Sequence, residues 1–325
     1  MKLEEYANLS EKNSFFDMTT IDTYKGFDDV YQTLKSDNVI FRGVNEAKYK
    51  LYTSAQREWI INEYEKQGIN YTSFIQSQLN YIRGFSIISQ YYKSLNVNEN
   101  DLLYICLLQH YGAPSPLLDF TYDLDIALYF ALDKIKTASS NIDIDNYFSL
   151  YLIDKNQCGK ELVDIVLMLK SGIQSGGILL EDYKIKYPHD SIDDSLLRSV
   201  DLYTKWLKND GTRDGLHKLG CGFIDNPLCS ETLSMYKTSE VLYWSNINLI
   251  AQKGCFIFYT KDKEPLELFF TLKNTLPKVR CINIHKSLVE YIKNKYIVHL
   301  SEQDIYPKLN KMCKDAYLYF KRCLK

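Results

Sequence analysis

The chain has 325 residues, 46% hydrophobic, 25% charged and 14% aromatic, with a formal net charge of −2. That mix excludes a disordered or collagen-like polymer and allows one large or two small cores. No run approaches the roughly 18 apolar residues of a membrane-spanning helix. The acidic start, MKLEEYANLSEKNSFF, lacks the basic and then apolar stretch of a secretory leader, so a cytoplasmic protein is expected.

In chain order, residues 1–38 read as a helical lead-in, with a short helix over Phe27–Leu34. Asn38–Gly43 reads as a short buried strand ending in a turn. From Ala55 to Leu95 the pattern is helical, broken near Gly68 and Gly84. Asp101–Tyr111 is apolar nearly all round, which predicts a helix inside the core with Gly112 just past its end. Pro114 and Pro116 forbid its continuation.

A second helix is expected from Leu124 to Ile135, capped by Thr121, with Asp123 and Asp125 suiting its positive end. Phe148–Ile153 comes next as a strand. Residues 156–240 read as a partly helical insert, with helices at Lys160–Lys170 and Ser195–Lys208. Strands are predicted near Asn248–Ala251, Cys255–Thr260 and Val279–Ile284, then helices from Lys286 and Ser301. This order fits an α+β fold, with helices packed around a modest mixed or antiparallel sheet, better than βαβ alternation. Residues 310–325 read as a basic C-terminal helix. Thr271–Lys325 holds 12 basic and 4 acidic residues, a candidate surface for nucleic acid that is also compatible with a solvated helix face.

The eight cysteines form no C-x-x-C and no Cys/His cluster with metal spacing. Dinucleotide-binding, P-loop, zincin and hydrolase-elbow motifs are also absent. Three segments instead place polar groups among apolar ones. Phe41-Arg42-Gly43 ends an apolar strand with a guanidinium, which needs a carboxylate, phosphate or carbonyl partner. An ion pair with Asp119 is one such partner.

Gln109-His110-Tyr111-Gly112 ends a buried helix and leads through two prolines to Asp119, Thr121 and a helix N-terminus able to hold an anion. The C-terminal end of the helix dipole would favour the charged form of His110, which could act as acid, base or donor. Gln252 stands between apolar residues just before Gly254. The candidate catalytic residues are His110, Asp119 and Gln252. Arg42, Gly43, Gln109, Tyr111, Thr121 and Tyr129 are the candidate ligand-binding residues.

Taken together, these segments resemble the FRG domain family, named for its opening Phe/Tyr-Arg-Gly. Phe41-Arg42-Gly43 matches that opening, and Tyr49-Lys50-Leu51 through Arg57 is similar to the family's next stretch. QHYGAPSPLLDFTYDLDIALYFA (Gln109–Ala131) is similar to the family's Q-H-Y/H-G-x-P-T-R-L-L-D-W-T-x-N-P-x-x-A-L-Y-F-A, and AQKGCF (Ala251–Phe256) to its A-Q-x-G-x-F. Val279–Leu309, with Asp304-Ile305-Tyr306-Pro307, resembles its closing segment, so the resemblance spans 39–309 with 156–240 unmatched. Ser115-Pro116 departs from the usual Thr-Arg, Phe120 from Trp, and Asp123-Leu124 from Asn-Pro.

The resemblance implies a bacterial cytosolic protein of a family suspected in conflict with phages. A more distant resemblance is to ADP-ribosyltransferases, through Phe41-Arg42-Gly43 and Asp119-Phe120-Thr121 with Ile126–Ala131. It implies a related core, NAD as candidate substrate and Arg42 on the diphosphate. Gln252 stands where an acid would be expected, so Asp119 would either supply the missing carboxylate or orient Arg42. Three readings stay open. The chain is a nucleotide-handling enzyme, a sensor or interaction module held by a structural polar network, or a nuclease or other nucleic-acid-directed effector.

Overall fold

A computed structural model describes residues 2–35, 39–94, 101–135, 140–154, 221–224, 247–272, 279–308 and 310–314. The predicted helices of the insert, and most of the basic C-terminal helix, lie outside these residues. The described chain is α+β, as the element order predicts. Its strands are β1 (Asp17–Ile21), β2 (Val39–Val44), β3 (Leu117–Thr121), β4 (Tyr147–Asp154), β5 (Cys221–Ile224), β6 (Gly254–Tyr259) and β7 (Arg280–His285). They form one mixed sheet in the order β1-β7-β4-β2-β3-β6-β5. β1 runs parallel to β7, and the other neighbours are antiparallel.

Alternation along the strands gives each sheet face its own core. One half of the first face carries Phe41, Leu150, Leu152 and Ile282. It is covered by α2 (Tyr24–Leu34), α7 (Leu124–Leu132) and α10 (Val289–Lys295). The other half carries Leu117, Phe256 and Phe258 under α3 (Ser54–Ile61), α4 (Tyr71–Arg83) and α6 (Asp101–His110), with α5 (Ser86–Ser94) adding Tyr92. The opposite face, with Ile40, Tyr151, Cys255 and Cys281, is closed by the N-terminal segment around α1 (Leu9–Asn13) and by α9 (Leu266–Leu272).

Five local expectations are corrected. The N-terminal lead-in is not wholly helical, since it contributes β1 to the sheet. Leu117–Thr121 is a full central strand rather than a loop, paired with β6 over five residues. Asn248–Ala251 is not a strand but part of the short helix α8 (Ile247–Ala251). Thr121 does not cap α7: Asp123 is the N-cap, and its Oδ1 accepts from the N–H groups of Asp125 and Ile126 at 2.9 and 3.3 Å. That carboxylate occupies the helix start, so α7 offers no free N-terminus to an anion. The helix also ends at Leu132, three residues before the predicted Ile135.

Gly43 has a structural reason to be glycine. A Cβ there would fall 1.9 Å from the Ala127 carbonyl oxygen on α7, so the bare backbone lets the helix lie against β2. Gly254 does the same for Leu249 of α8, whose Cδ1 would stand 2.5 Å from an added Cβ. Gly112, at φ +80°, stands two residues past the end of α6 in the left-handed conformation expected of a glycine that closes a helix.

Candidate functional site

β2 and β3 are adjacent in the sheet, yet they stand in register at a single pair, Phe41 and Thr121. Beyond that pair the strands part. There Arg42 Nη1 donates to the Asp119 carbonyl oxygen at 2.6 Å, so a side chain supplies the bond that a continued ladder would have made. Above the parting, between the two helical groups of that face, lies an open cavity of about 390 Å³. Side chains of β2, β3, α6, α7, α8 and β6 line it.

Seven of the nine candidate residues meet there: Arg42, Gly43, Gln109, His110, Asp119, Thr121 and Gln252. Tyr111 and Tyr129 do not line the cavity. Tyr111 is 75% exposed, its ring 4.6 Å from that of His110. Tyr129 packs, partly buried, against the core under α2 and α7.

The Asp119 carboxylate is 59% exposed, and its orientation is fixed. Gln109 Nε2 donates to both of its oxygens, at 2.9 and 2.8 Å. Gln109 is held in turn at its Oε1, which accepts from the Ser115 hydroxyl at 2.6 Å and from Ser54 at 3.4 Å. Ser115 is buried, and its hydroxyl also accepts from the Leu117 N–H at 3.2 Å. Residue 115 is therefore a support outside the candidate set. Its signals in the sequence are a small hydroxyl residue between two prolines and its place at the Thr of the family's motif.

Arg42 Nη1 stands 3.9 Å from Asp119 Oδ2, which is an ion pair of long reach. The Arg42 side chain is 19% exposed, and its buried Nε meets no hydrogen-bond partner among the described residues. Burial works against the guanidinium charge, Asp119 supports it and nearby Arg57 opposes it. Arginine stays charged regardless. The outcome is a cation with unspent donors at the edge of a cavity.

His110 corrects its expectation. Half-buried at the end of α6, its imidazole is pushed below its ordinary value by desolvation, the direction opposite to that expected from the helix dipole, and the neutral ring is favoured. A neutral imidazole can accept a proton, which an imidazolium cannot.

Gln252 and Thr121 are largely committed to structure. Thr121 Oγ1 donates to the Gln252 carbonyl oxygen at 2.7 Å and accepts from the Asp123 N–H at 3.0 Å. Gln252 Nε2 donates to the carbonyl oxygen of Ile305 at 3.1 Å. Asp123 Oδ2 takes Lys253 Nζ at 2.6 Å. Burial opposes ionisation of Asp123, but Lys253 and the α7 N–H groups outweigh it and hold the carboxyl below its usual value. Three further lining residues, Phe130, Asn248 and Tyr306, are not among the candidates drawn from the sequence. Among the described residues no cluster of three His, Cys, Asp or Glu could hold a metal ion. No described helix is long and apolar enough to cross a membrane.

Residues 37–140 match the family model of the FRG domain, so that domain is present. The matched span carries six of the seven gathered candidates, all but Gln252. Comparisons with curated proteins and with solved structures return no match.

Proposed function

We propose that the FRG domain of this chain binds a nucleotide in the cavity at the β2–β3 parting and acts on its ribosyl linkage, with NAD the candidate substrate. One observation supports this most. An exposed carboxylate, aligned through both oxygens by Gln109, shares the open cavity with Arg42 at 3.9 Å and with an imidazole biased to its neutral form.

The chemistry these groups suit is cleavage of the bond between ribose C1 and nicotinamide. Nicotinamide leaves with the bonding electron pair, and the ribosyl centre takes on oxocarbenium character. Asp119 stabilises that charge because it is negative and already oriented, so little reorganisation is needed. Water or a hydroxyl of a target molecule then bonds to C1, and His110 takes the proton released. Arg42 holds the diphosphate through donors not used on the Asp119 carbonyl. A bacterial protein that consumes NAD in this way would be a toxin or phage-defence effector.

Purified protein incubated with labelled NAD, alone and with lysate, DNA or RNA, tests the proposal. Nicotinamide release or label transfer is expected. Asp119→Asn should lower it by about 100-fold or more, with unfolding free energy within about 1 kcal/mol of the parent. No release, no transfer and no binding of ADP-ribose would overturn it.

A second reading draws on the hydrogen bonds from Arg42 and Gln109 to Asp119, which could serve a fold-fixing network in a non-enzymatic sensor. In that case Asp119→Asn changes no activity, and Asp119→Ala destabilises the fold sharply.

A further inference from the structure

The gathered polar residues leave one wall of the cavity unexplained, the wall formed by Phe130 and Tyr306. Their rings stand 6.3 Å apart at 77°, an edge-to-face pair. In such a pair, the ring that presents its edge keeps both faces clear of its partner. Tyr306 is 37% exposed and lines the same cavity as Asp119 and Arg42, so part of its ring is open to a ligand there.

The backbone beneath Tyr306 is firmly held. It comes directly after the single turn α11 (Glu302–Ile305), which opens with a capping box in which the Ser301 N–H and hydroxyl both donate to Asp304 Oδ2, at 2.8 and 2.6 Å. Ile305 is fully buried, and its carbonyl oxygen accepts from Gln252 Nε2. Gln252 is itself fixed through its backbone, its N–H donating to the Asn248 carbonyl at 2.8 Å and its own carbonyl accepting from Thr121. A chain of bonds thus runs from β3 through Gln252 to the base of the Tyr306 ring. In the same cavity Asn248 contributes a carboxamide, the group whose paired donor and acceptor match the edge of a nucleobase.

We infer that the Phe130–Tyr306 wall seats a planar heteroaromatic ring, and that Gln252 is a positioning residue that keeps Tyr306 in place for it. The inference rests on the nucleotide reading of this site and deepens it. It says which wall receives the base, and that the base contributes binding energy of its own. It also gives Gln252 a role other than that of a missing catalytic acid.

The test is titration calorimetry of the full chain with AMP, nicotinamide mononucleotide, ADP-ribose and ribose 5-phosphate. The three ring-bearing ligands should bind at least about tenfold more tightly than ribose 5-phosphate. Tyr306→Ala should weaken them by about 5- to 100-fold, the range of one aromatic stacking contact, and leave ribose 5-phosphate unchanged. Tyr306→Phe should restore the preference. Gln252→Ala should reduce the preference for ring-bearing ligands without altering affinity for ribose 5-phosphate. Circular dichroism melts establish that each variant is folded.

Equal affinity for AMP and ribose 5-phosphate, or a preference unchanged in Tyr306→Ala, overturns the inference while NAD cleavage could still stand. Ring-dependent binding with NAD neither cleaved nor transferred sinks the catalytic reading and leaves the ring seat intact. No binding by any of the four overturns both.

Discussion

Two cations sit near the middle of the sheet, and their surroundings differ. Lys12 is 0% exposed. Its ammonium donates to the Ala47 carbonyl, the Ser149 hydroxyl and Asn283 Oδ1 at 2.8, 2.7 and 2.8 Å, three acceptors for three donors. The Tyr151 ring lies 4.9 Å away. Across the β2–β4 ladder, Tyr151 stands opposite Arg42. Arg42 donates to one carbonyl, leaves its Nε unpartnered among the described residues, and borders a cavity. Both side chains bear the desolvation cost of burial, but Lys12 is satisfied within the protein and Arg42 is not. A satisfied buried charge belongs to the architecture. An under-satisfied one beside an opening calls for an explanation, and the ligand of the proposed function would supply one.

That contrast can be broken at either end. Lys12→Met should be the most damaging change, since it removes the donor of three buried hydrogen bonds and leaves the Ala47 carbonyl, the Ser149 hydroxyl and Asn283 Oδ1 without it. A loss of about 3 kcal/mol or more in urea unfolding is expected, and a loss below about 0.5 kcal/mol would mean that the Lys12 site is not structural. Gly43→Ala should come next, at about 2 kcal/mol, because its methyl group meets the Ala127 carbonyl of α7 with nowhere to move. The same substitution should weaken ligand binding by displacing α7, and a fully stable Gly43→Ala protein would contradict the packing role.

The smallest effect concerns His110. Its folded-state value lies below the ordinary 6.5, so the neutral ring contributes stability above that pH, and the contribution is lost as pH falls through the lower folded value. Unfolding measured from about pH 8 downward should show the parent losing stability below about pH 6.5 relative to His110→Gln. Parallel curves would remove the case for a neutral imidazole.

The sequence is most informative where one period dominates. α6 and α7 are apolar on more than one side and are recognisable as buried helices, and β2 is marked by the charge of Arg42, although it runs on through Gly43 to Val44 where the sequence suggests a turn. β3 is hidden because Leu117–Thr121 comes after two prolines and precedes a helix, so it reads as a loop although four of its five residues are buried. The four residues Asn248–Ala251 are too short for periodicity to separate helix from strand, and their apolar character favours the wrong one.

Seven of the cavity-lining residues are legible from chemistry and motif, because a guanidinium, an amide and a carboxylate are costly inside apolar runs. Phe130 and Tyr306 carry no such signal, since an aromatic residue in sequence is as good a core residue as a binding surface. Lys12 is equally unreadable. A lysine in a polar N-terminal segment looks solvated until Ala47, Ser149 and Asn283 are brought around it.

The central claim is that Arg42 is kept for a ligand and not for the fold. The most direct measurement is ADP-ribose affinity of the parent and Arg42→Ala, taken beside their unfolding free energies. A loss of about 10- to 100-fold in affinity is expected, as for one charge-assisted contact, with a stability change near 1 kcal/mol. Unchanged affinity with a stability loss of about 3 kcal/mol or more would make Arg42 a second Lys12 and contradict the claim.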